Sequence, residues 1–190
     1  MKILIACEYS GIVRDAFAKK GHDVMSCDIL PTESEGKHYQ GDVFDVLYDD
    51  WDMMIAHPPC THLSVSGARW FTEGKKPIHL REEALDFVRK LMDAPIEKIA
   101  IENPVSVIGS RIRKSDQTIN PYQFGHLEQK RTCLWLKNLP KLKETNNVKE
   151  EMMKLPVGQR ERIHWLGSGK GKERSKFYPG IAEAMASQWG

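Results

Sequence analysis

The chain has 190 residues, 41% of them hydrophobic and 28% charged, and a formal net charge of +2 at pH 7. That length suits one domain with a substantial core, and the composition excludes a disordered, collagen-like or membrane-spanning class. The charge is unevenly placed: residues 1–136 carry 17 Lys/Arg against 20 Asp/Glu, whereas 137–176 carry 11 against 5.

Four cysteines, Cys7, Cys27, Cys60 and Cys133, are scattered without a CxxC pair. This pattern predicts reduced thiols in a cytoplasmic protein rather than a disulfide framework. The apolar run Ile3 to Cys7 is too short for a signal h-region, and no run reaches membrane-spanning length. No internal repeat or low-complexity tract is present.

In chain order, Lys2–Ala6 is a β-branched and aliphatic run that predicts a first strand. The turn CEYSG follows, and Ile12, Val13, Ala16 and Phe17 recur at helical spacing up to Lys20, where Gly21 stops the helix. Asp23–Cys27 reads as a second strand ending at Asp28. A strand–turn–helix–strand unit closing on an acid is the layout of a nucleotide-binding half-fold. Backbone N–H groups and Gly11 in the turn would face a ligand, and the acid would hold ribose hydroxyls. The same residues also read as a surface turn and a helix-capping acid, since no GxGxxG is present. Residues 31–40 read as loop. Gly41-Asp42-Val43-Phe44-Asp45 puts another acid beside an apolar residue, suited either to an adenine or to a solvated turn.

The apolar run Met53-Met54-Ile55-Ala56 reads as a buried strand, stopped by Pro58-Pro59. Cys60 comes next, beyond the strand's C-terminal end, where open α/β sheets bind ligands. A thiol on two rigid prolines has the fixed direction that a nucleophile needs; a small packing hydrophobe is the other reading. Arg69-Trp70-Phe71 and Gly74-Lys75-Lys76 would offer aromatic and basic groups to a nucleic acid, or form a solvated loop. Leu80–Met92 is an amphipathic helix closed by Pro95. Lys98–Ile101 is a strand ending in Glu102-Asn103-Pro104, which brings a glutamate to the same edge as Cys60. Residues 105–131 read as polar and irregular, Thr132–Leu136 as a strand, 137–176 as a basic, mobile loop, and Ile181–Trp189 as a final helix. His57, Cys60 and His62 are close together but lack the spacing of a tetrahedral site, so no metal is expected.

Taken together, these residues resemble the cytosine-5 DNA methyltransferases, in particular short phage-type members, over nearly the whole chain and in the family's order. CEYSGIVRDAF looks like the first cofactor loop, with Gly11, Arg14, Ala16 and Phe17 in register. Pro58-Pro59-Cys60 matches the nucleophile motif, with Thr61 where glutamine is usual. Glu102-Asn103 matches the Glu-Asn pair, with Pro104 for the common valine. Gln129-x-Arg131 matches the start of Gln-x-Arg-x-Arg, with Cys133 for the second arginine. YPGIAEAMASQW looks like the last motif.

The resemblance implies an α/β, Rossmann-like class I S-adenosylmethionine-dependent methyltransferase fold. Its mostly parallel central sheet would carry helices on both faces of a single catalytic domain spanning 1–190. It implies S-adenosylmethionine bound by Cys7, Glu8, Ser10 and Gly11, by Asp28 and Ile29, by Asp42 and Val43, and by Pro58. Cys60 would be the nucleophile, Glu102 would hold and protonate the base, and Arg131 would neutralise its O2. The expected partner is DNA, with a short or weak sequence preference or a specificity-supplying protein, because 137–176 stands where a large recognition region would lie. Three alternatives stay open: a free pyrimidine nucleotide as substrate, RNA as substrate, and a degenerate fold that binds DNA or protein.

Overall fold

The computed structural model describes residues 1–166 and 169–190, and the side chains of all of these except Ser66, Ala68, Arg69 and Lys172. Among the described residues a sheet of seven strands runs in the order β3-β2-β1-β4-β5-β7-β6. The strands are β1 (Lys2–Ala6), β2 (Asp23–Asp28), β3 (His38–Gln40), β4 (Met53–Ala56), β5 (Lys98–Pro104), β6 (Gln117–Ile119) and β7 (Thr132–Lys137). β1 to β5 are parallel to one another, and β7 is inserted antiparallel between β5 and β6.

β1 and β4 are buried on both faces, which is why they read as continuous apolar runs rather than alternating ones. Ile3, Ile5, Met53 and Ile55 face one core, which is completed by α1 (Ile12–Ala18) and α9 (Pro179–Trp189). Leu4, Ala6, Met54 and Ala56 face the other, where α3 (His79–Met92) lays down Leu85, Val88 and Leu91. Full burial of each of these three side chains contributes about 1.5–3 kcal/mol, which fixes α3 on the sheet. No helix among the described residues is long and apolar enough to cross a membrane.

The polar stretches are more ordered than their sequence implies. Residues 31–40 end in β3, and 105–131 contain α4 (Ile108–Arg111) and β6. β3 and β6 are three-residue edge strands without an apolar alternation, so no periodic signal marks them. The basic stretch 137–176 is not one long loop: β7 runs into it, and it forms α5 (Lys149–Met153), α6 (Val157–Arg160), α7 (Arg162–Trp165) and α8 (Gly171–Ser175). Leu142 and Met152 anchor it in the core. Gly167 and Ser168 of its glycine-rich run lie outside the described residues. α2 (Ala68–Thr72) carries Phe71 inward, with the Arg81 guanidinium 3.9 Å from its ring centre. Phe71 is therefore a packing residue and not a base-stacking platform; the Arg69 side chain lies outside the described set.

Arg14 organises the first crossover. It is 1% exposed although charged, and its guanidinium donates to Ser26 Oγ, Thr32 Oγ1, Ser34 O and Oγ, and Glu35 O. Gly11 serves this cluster. Its φ is +75°, and a Cβ there would lie 2.1 Å from Ser34 Oγ and 2.5 Å from Arg14 Nη2. Gly11→Ala is expected to cost about 1–3 kcal/mol, seen as a thermal midpoint lowered by about 5 °C.

Candidate active site

β1 lies where the strand order reverses: the chain runs outward through β2 and β3, then returns to build β4 and β5 on β1's other side. The loops after β1 and β4 therefore leave the sheet side by side at its C-terminal edge, the switch point where such sheets bind ligands. Cys60 sits in the second of these loops.

That loop is clamped. His57 N donates to Ala6 O at 2.9 Å, which ties the loop's start to β1, and the Cys60 carbonyl accepts from Leu63 N and Ser64 N at 3.1 and 2.9 Å. Asn103 Nδ2 donates to Pro58 O at 2.8 Å within buried surroundings. Val107 N donates to Leu63 O and Val65 N to Val105 O, so the stretches beyond Cys60 and Glu102 are stitched together. The Glu-Asn pair thus divides its work: Asn103 holds the cysteine loop, and Glu102 faces the site. Pro58 itself is buried and acts as part of this clamp.

Cys60 is exposed. Desolvation by its surroundings raises the thiol pKa, the Glu102 carboxylate adds to that rise, and Lys130 and Arg174 oppose it. Glu102 is buried, and its Oε2 lies 3.1 Å from His57 Nδ1. The His57 ring packs against Phe177 with centroids 4.7 Å apart. Among the described residues, no group of three or more His, Cys, Asp or Glu side chains is placed to hold a metal ion.

Arg131 is exposed, one residue before β7, and makes no hydrogen bond to a described residue. Its neighbour Lys130 instead lies near Cys60, donating to Arg174 O at 3.2 Å and sitting 5.8 Å from the Tyr178 ring centre. α8 and the residues after it form a strap over the sheet edge. Tyr9 Oη and Ser175 Oγ are 3.2 Å apart, Lys176 pairs with Glu33, and Tyr178 Oη donates to Glu128 Oε2. Several cations of the basic stretch are engaged here, since Arg162 bridges Glu128 and Glu173. His57, Lys130, Arg174 and Phe177 were all missed as site residues in the sequence. The one signal was local: His57 and Lys130 each stand beside a motif residue.

At the other half of the edge, the loop after β1 turns inward. Glu8 is 4% exposed, and its carboxylate accepts from Val13 N, Arg14 N and Ser10 Oγ. It therefore occupies the free N–H groups of α1, which a ligand anion would otherwise take. Ser10 Oγ also accepts from Ile12 N. The side chains of Glu8 and Ser10, with Gly11 between them and α1, thus build the turn, leaving mainly its backbone to meet a ligand. Cys7 adopts φ +59°, and burial, with the charges of Asp28 and Asp42, pushes its thiol pKa far up. The same two carboxylates, after burial, raise Cys27 to about 12. Asp28 and Asp42 thus converge on one side of the edge. Asp28 Oδ1 accepts from Leu30 N and Asp42 Oδ1 from Phe44 N, which fixes both carboxylates in direction. Ile29 beside them is 76% exposed, whereas Val43 is buried. Two fixed carboxylates flanking an exposed isoleucine suit a nucleoside: acceptors for ribose hydroxyls and an exocyclic amine, and an apolar face for the base. The residues present fit an adenosyl group there.

No protein-family model matches the sequence, and no curated protein matches it. Among solved structures, the chain is similar to the Entamoeba histolytica methyltransferase EhMeth, with a TM-score of 0.52 and 14% sequence identity, covering 77% of this chain. The chain spans 57% of the length of that structure. At this identity the likeness is one of fold, and it agrees with the strand order, the switch point and the antiparallel β7: the chain has a Rossmann-like methyltransferase fold.

Proposed function

We propose that this protein is an S-adenosylmethionine-dependent methyltransferase that modifies C5 of cytosine in DNA through a covalent adduct with Cys60. The observation that carries this reading is the clamp from Asn103 Nδ2 to Pro58 O, which ties the loop bearing Cys60 to the strand end bearing Glu102. Glu102 is buried with His57 Nδ1 beside its Oε2, which suits an acid that holds a base.

Cytosine C5 is a weak nucleophile towards an alkyl donor. Addition of the Cys60 thiolate to C6 moves electron density to C5 and N3. Glu102 would accept from the exocyclic amine and give a proton to N3 as charge grows there. Bound S-adenosylmethionine supplies an electrophilic methyl group to that activated C5. Asp28, Ile29 and Asp42 would hold its adenosyl part, and the backbone of the loop from Cys7 to Gly11 would border it. Lys130 and Arg174 are cations that act on the thiol, and Lys130 or Arg131 would meet the ring oxygen or the adjoining phosphate. In duplex DNA the target base must leave the stack to reach this edge.

The test is covalent trapping: the protein, S-adenosylmethionine and DNA carrying 5-fluorocytosine should give a denaturation-resistant adduct at Cys60. Fluorine at C5 blocks elimination, so an adduct identifies nucleophile, base and cofactor together. Its absence, with cofactor bound, would remove the DNA reading. Absence of both would leave a binding module. Glu102→Gln is expected to lower single-turnover methyl transfer on the order of 10²- to 10⁴-fold, with cofactor affinity unchanged by equilibrium dialysis.

A second reading keeps the chemistry and changes the substrate to a free pyrimidine nucleotide or RNA. It is favoured by the size of the elements in 137–176, where α5 to α8 have only four or five residues each. Such elements orient a polyanion through phosphates but read little sequence. Parallel trapping on duplex, single strand, RNA and mononucleotide separates the two readings, and duplex preference without sequence preference would point to a specificity-supplying partner.

A further inference from the structure

His57 stands immediately before Pro58-Pro59-Cys60, and no step above uses it. Its side chain and that of Glu102 are each 12% exposed, and Nδ1 lies 3.1 Å from Oε2. Its other nitrogen, Nε2, is buried with no hydrogen-bond partner among the described residues. Phe177 closes one side of the ring, and the backbone bond to Ala6 O fixes its base. An imidazole held only for packing would be poorly chosen here, because a buried polar atom left unpaired costs about 1–3 kcal/mol. The charged groups that act on the Cys60 thiol are Glu102 of this pair, Lys130 before β7 and Arg174 on α8.

We propose that His57 is a positioning residue that joins Glu102 into one proton-holding unit, which takes the Cys60 thiol proton and delivers it to N3 of the substrate pyrimidine. This rests on the cytosine reading for its final acceptor, but not for the first transfer. The thiol requires such an acceptor, because desolvation and the Glu102 charge both favour its protonated form. The steps balance. At rest Nδ1–H donates to Oε2; Sγ–H gives its proton to the pair, which leaves Glu102 as the neutral carboxylic acid still bonded to His57. As Sγ bonds to C6, the C5=C6 pair moves to C4–C5 and the C4=N3 pair moves to N3, which takes the proton from Glu102. After methyl transfer N3 returns the proton to Glu102, and loss of the C5 proton to water restores C5=C6 and expels Sγ. The expelled thiolate takes its proton back from Glu102, and the unit ends as it began.

The experiment uses the full chain as wild type, His57→Asn and His57→Ala, each checked for an unchanged thermal midpoint. Asparagine places an amide N–H near the position of Nδ1, so it keeps the bond to Glu102 while carrying no transferable proton. Two rates are read: alkylation of Cys60 by iodoacetamide at neutral pH, localised by peptide mass, and adduct formation on 5-fluorocytosine DNA with S-adenosylmethionine. Both variants are expected to alkylate about tenfold more slowly and to form adduct on the order of 10²-fold more slowly. Wild-type alkylation in His57→Asn overturns the proposal and leaves His57 as a tether. If wild type forms no adduct but the alkylation contrast stands, the cytosine reading fails and the thiol-activating unit survives it. If His57→Ala does not fold, the His57→Asn comparison decides alone.

Discussion

Cys60→Ser is expected to remove covalent addition to the pyrimidine and to lower methyl transfer by roughly 10⁴-fold or more, about 5.5 kcal/mol of transition-state stabilisation. The substitution changes one atom at an exposed loop position, so the thermal midpoint should stay within the range of a neutral surface change, roughly 0.5 kcal/mol. The loss follows from proton affinity and orbital softness. A serine hydroxyl is far harder to ionise than a thiol, and the site already disfavours the anion through desolvation by its surroundings and the Glu102 carboxylate. Lys130 and Arg174 offset only part of that bias, and an alkoxide would need far more. The decisive measurement is single-turnover methyl transfer with the 5-fluorocytosine adduct scored in parallel. A serine variant that keeps transfer within tenfold of wild type would show that the reaction does not pass through Cys60. A variant that loses transfer but binds cofactor and DNA normally would place the loss in the covalent step.

Why the sequence disclosed Cys60 and Glu102, but not their neighbours, has a physical explanation. β4 and β5 are buried central strands, so their apolar runs stand out and their ends can be located to a residue or two. Prolines then mark where each chain leaves the sheet, and whatever follows must lie at the edge. β3 and β6 escape notice because an edge strand of three residues needs no apolar alternation. The side chain that approaches Cys60 from the turn before β7 is equally hidden. Neighbouring positions entering a strand point in opposite directions, so adjacent cations there have different surroundings: Lys130 acts on the Cys60 thiol and Arg131 is exposed. His57 attracted attention only as a metal ligand, because its bond to Glu102 spans 45 residues and leaves no local trace. Glu8 and Ser10 lie in the loop that should border a cofactor, and their side chains bond the first turn of α1, a use that no local pattern discloses.

Arg14→Met is expected to be the most destabilising single change away from the catalytic edge, at about 3–5 kcal/mol. Methionine preserves the length and most of the apolar volume, so α1 keeps its packing through Val13 and Phe17. What disappears is a guanidinium that joins α1, β2 and the 32–35 loop through six acceptors, the Asp15 carboxylate among them. The Glu35 carbonyl has no other partner among the described residues, and an acceptor left unpaired costs about 1–3 kcal/mol. With a dependence of roughly 2–4 °C per kcal/mol for a chain of this size, the thermal midpoint should fall by about 10 °C. The damage should also reach the proposed cofactor edge selectively. Loop 29–37 leaves β2 at Asp28 and Ile29 and returns as β3, which ends beside Asp42, so releasing its centre loosens the nucleoside-facing carboxylates. Cys60 and Glu102 hang from β4 and β5 and are held by Asn103, beyond the reach of this cluster. The expected pattern below the melting range is therefore weaker S-adenosylmethionine binding by calorimetry with unchanged Cys60 alkylation. Equal loss of both would mean that the two halves of the edge unfold together, and Arg14 would then support the whole sheet rather than the cofactor side alone.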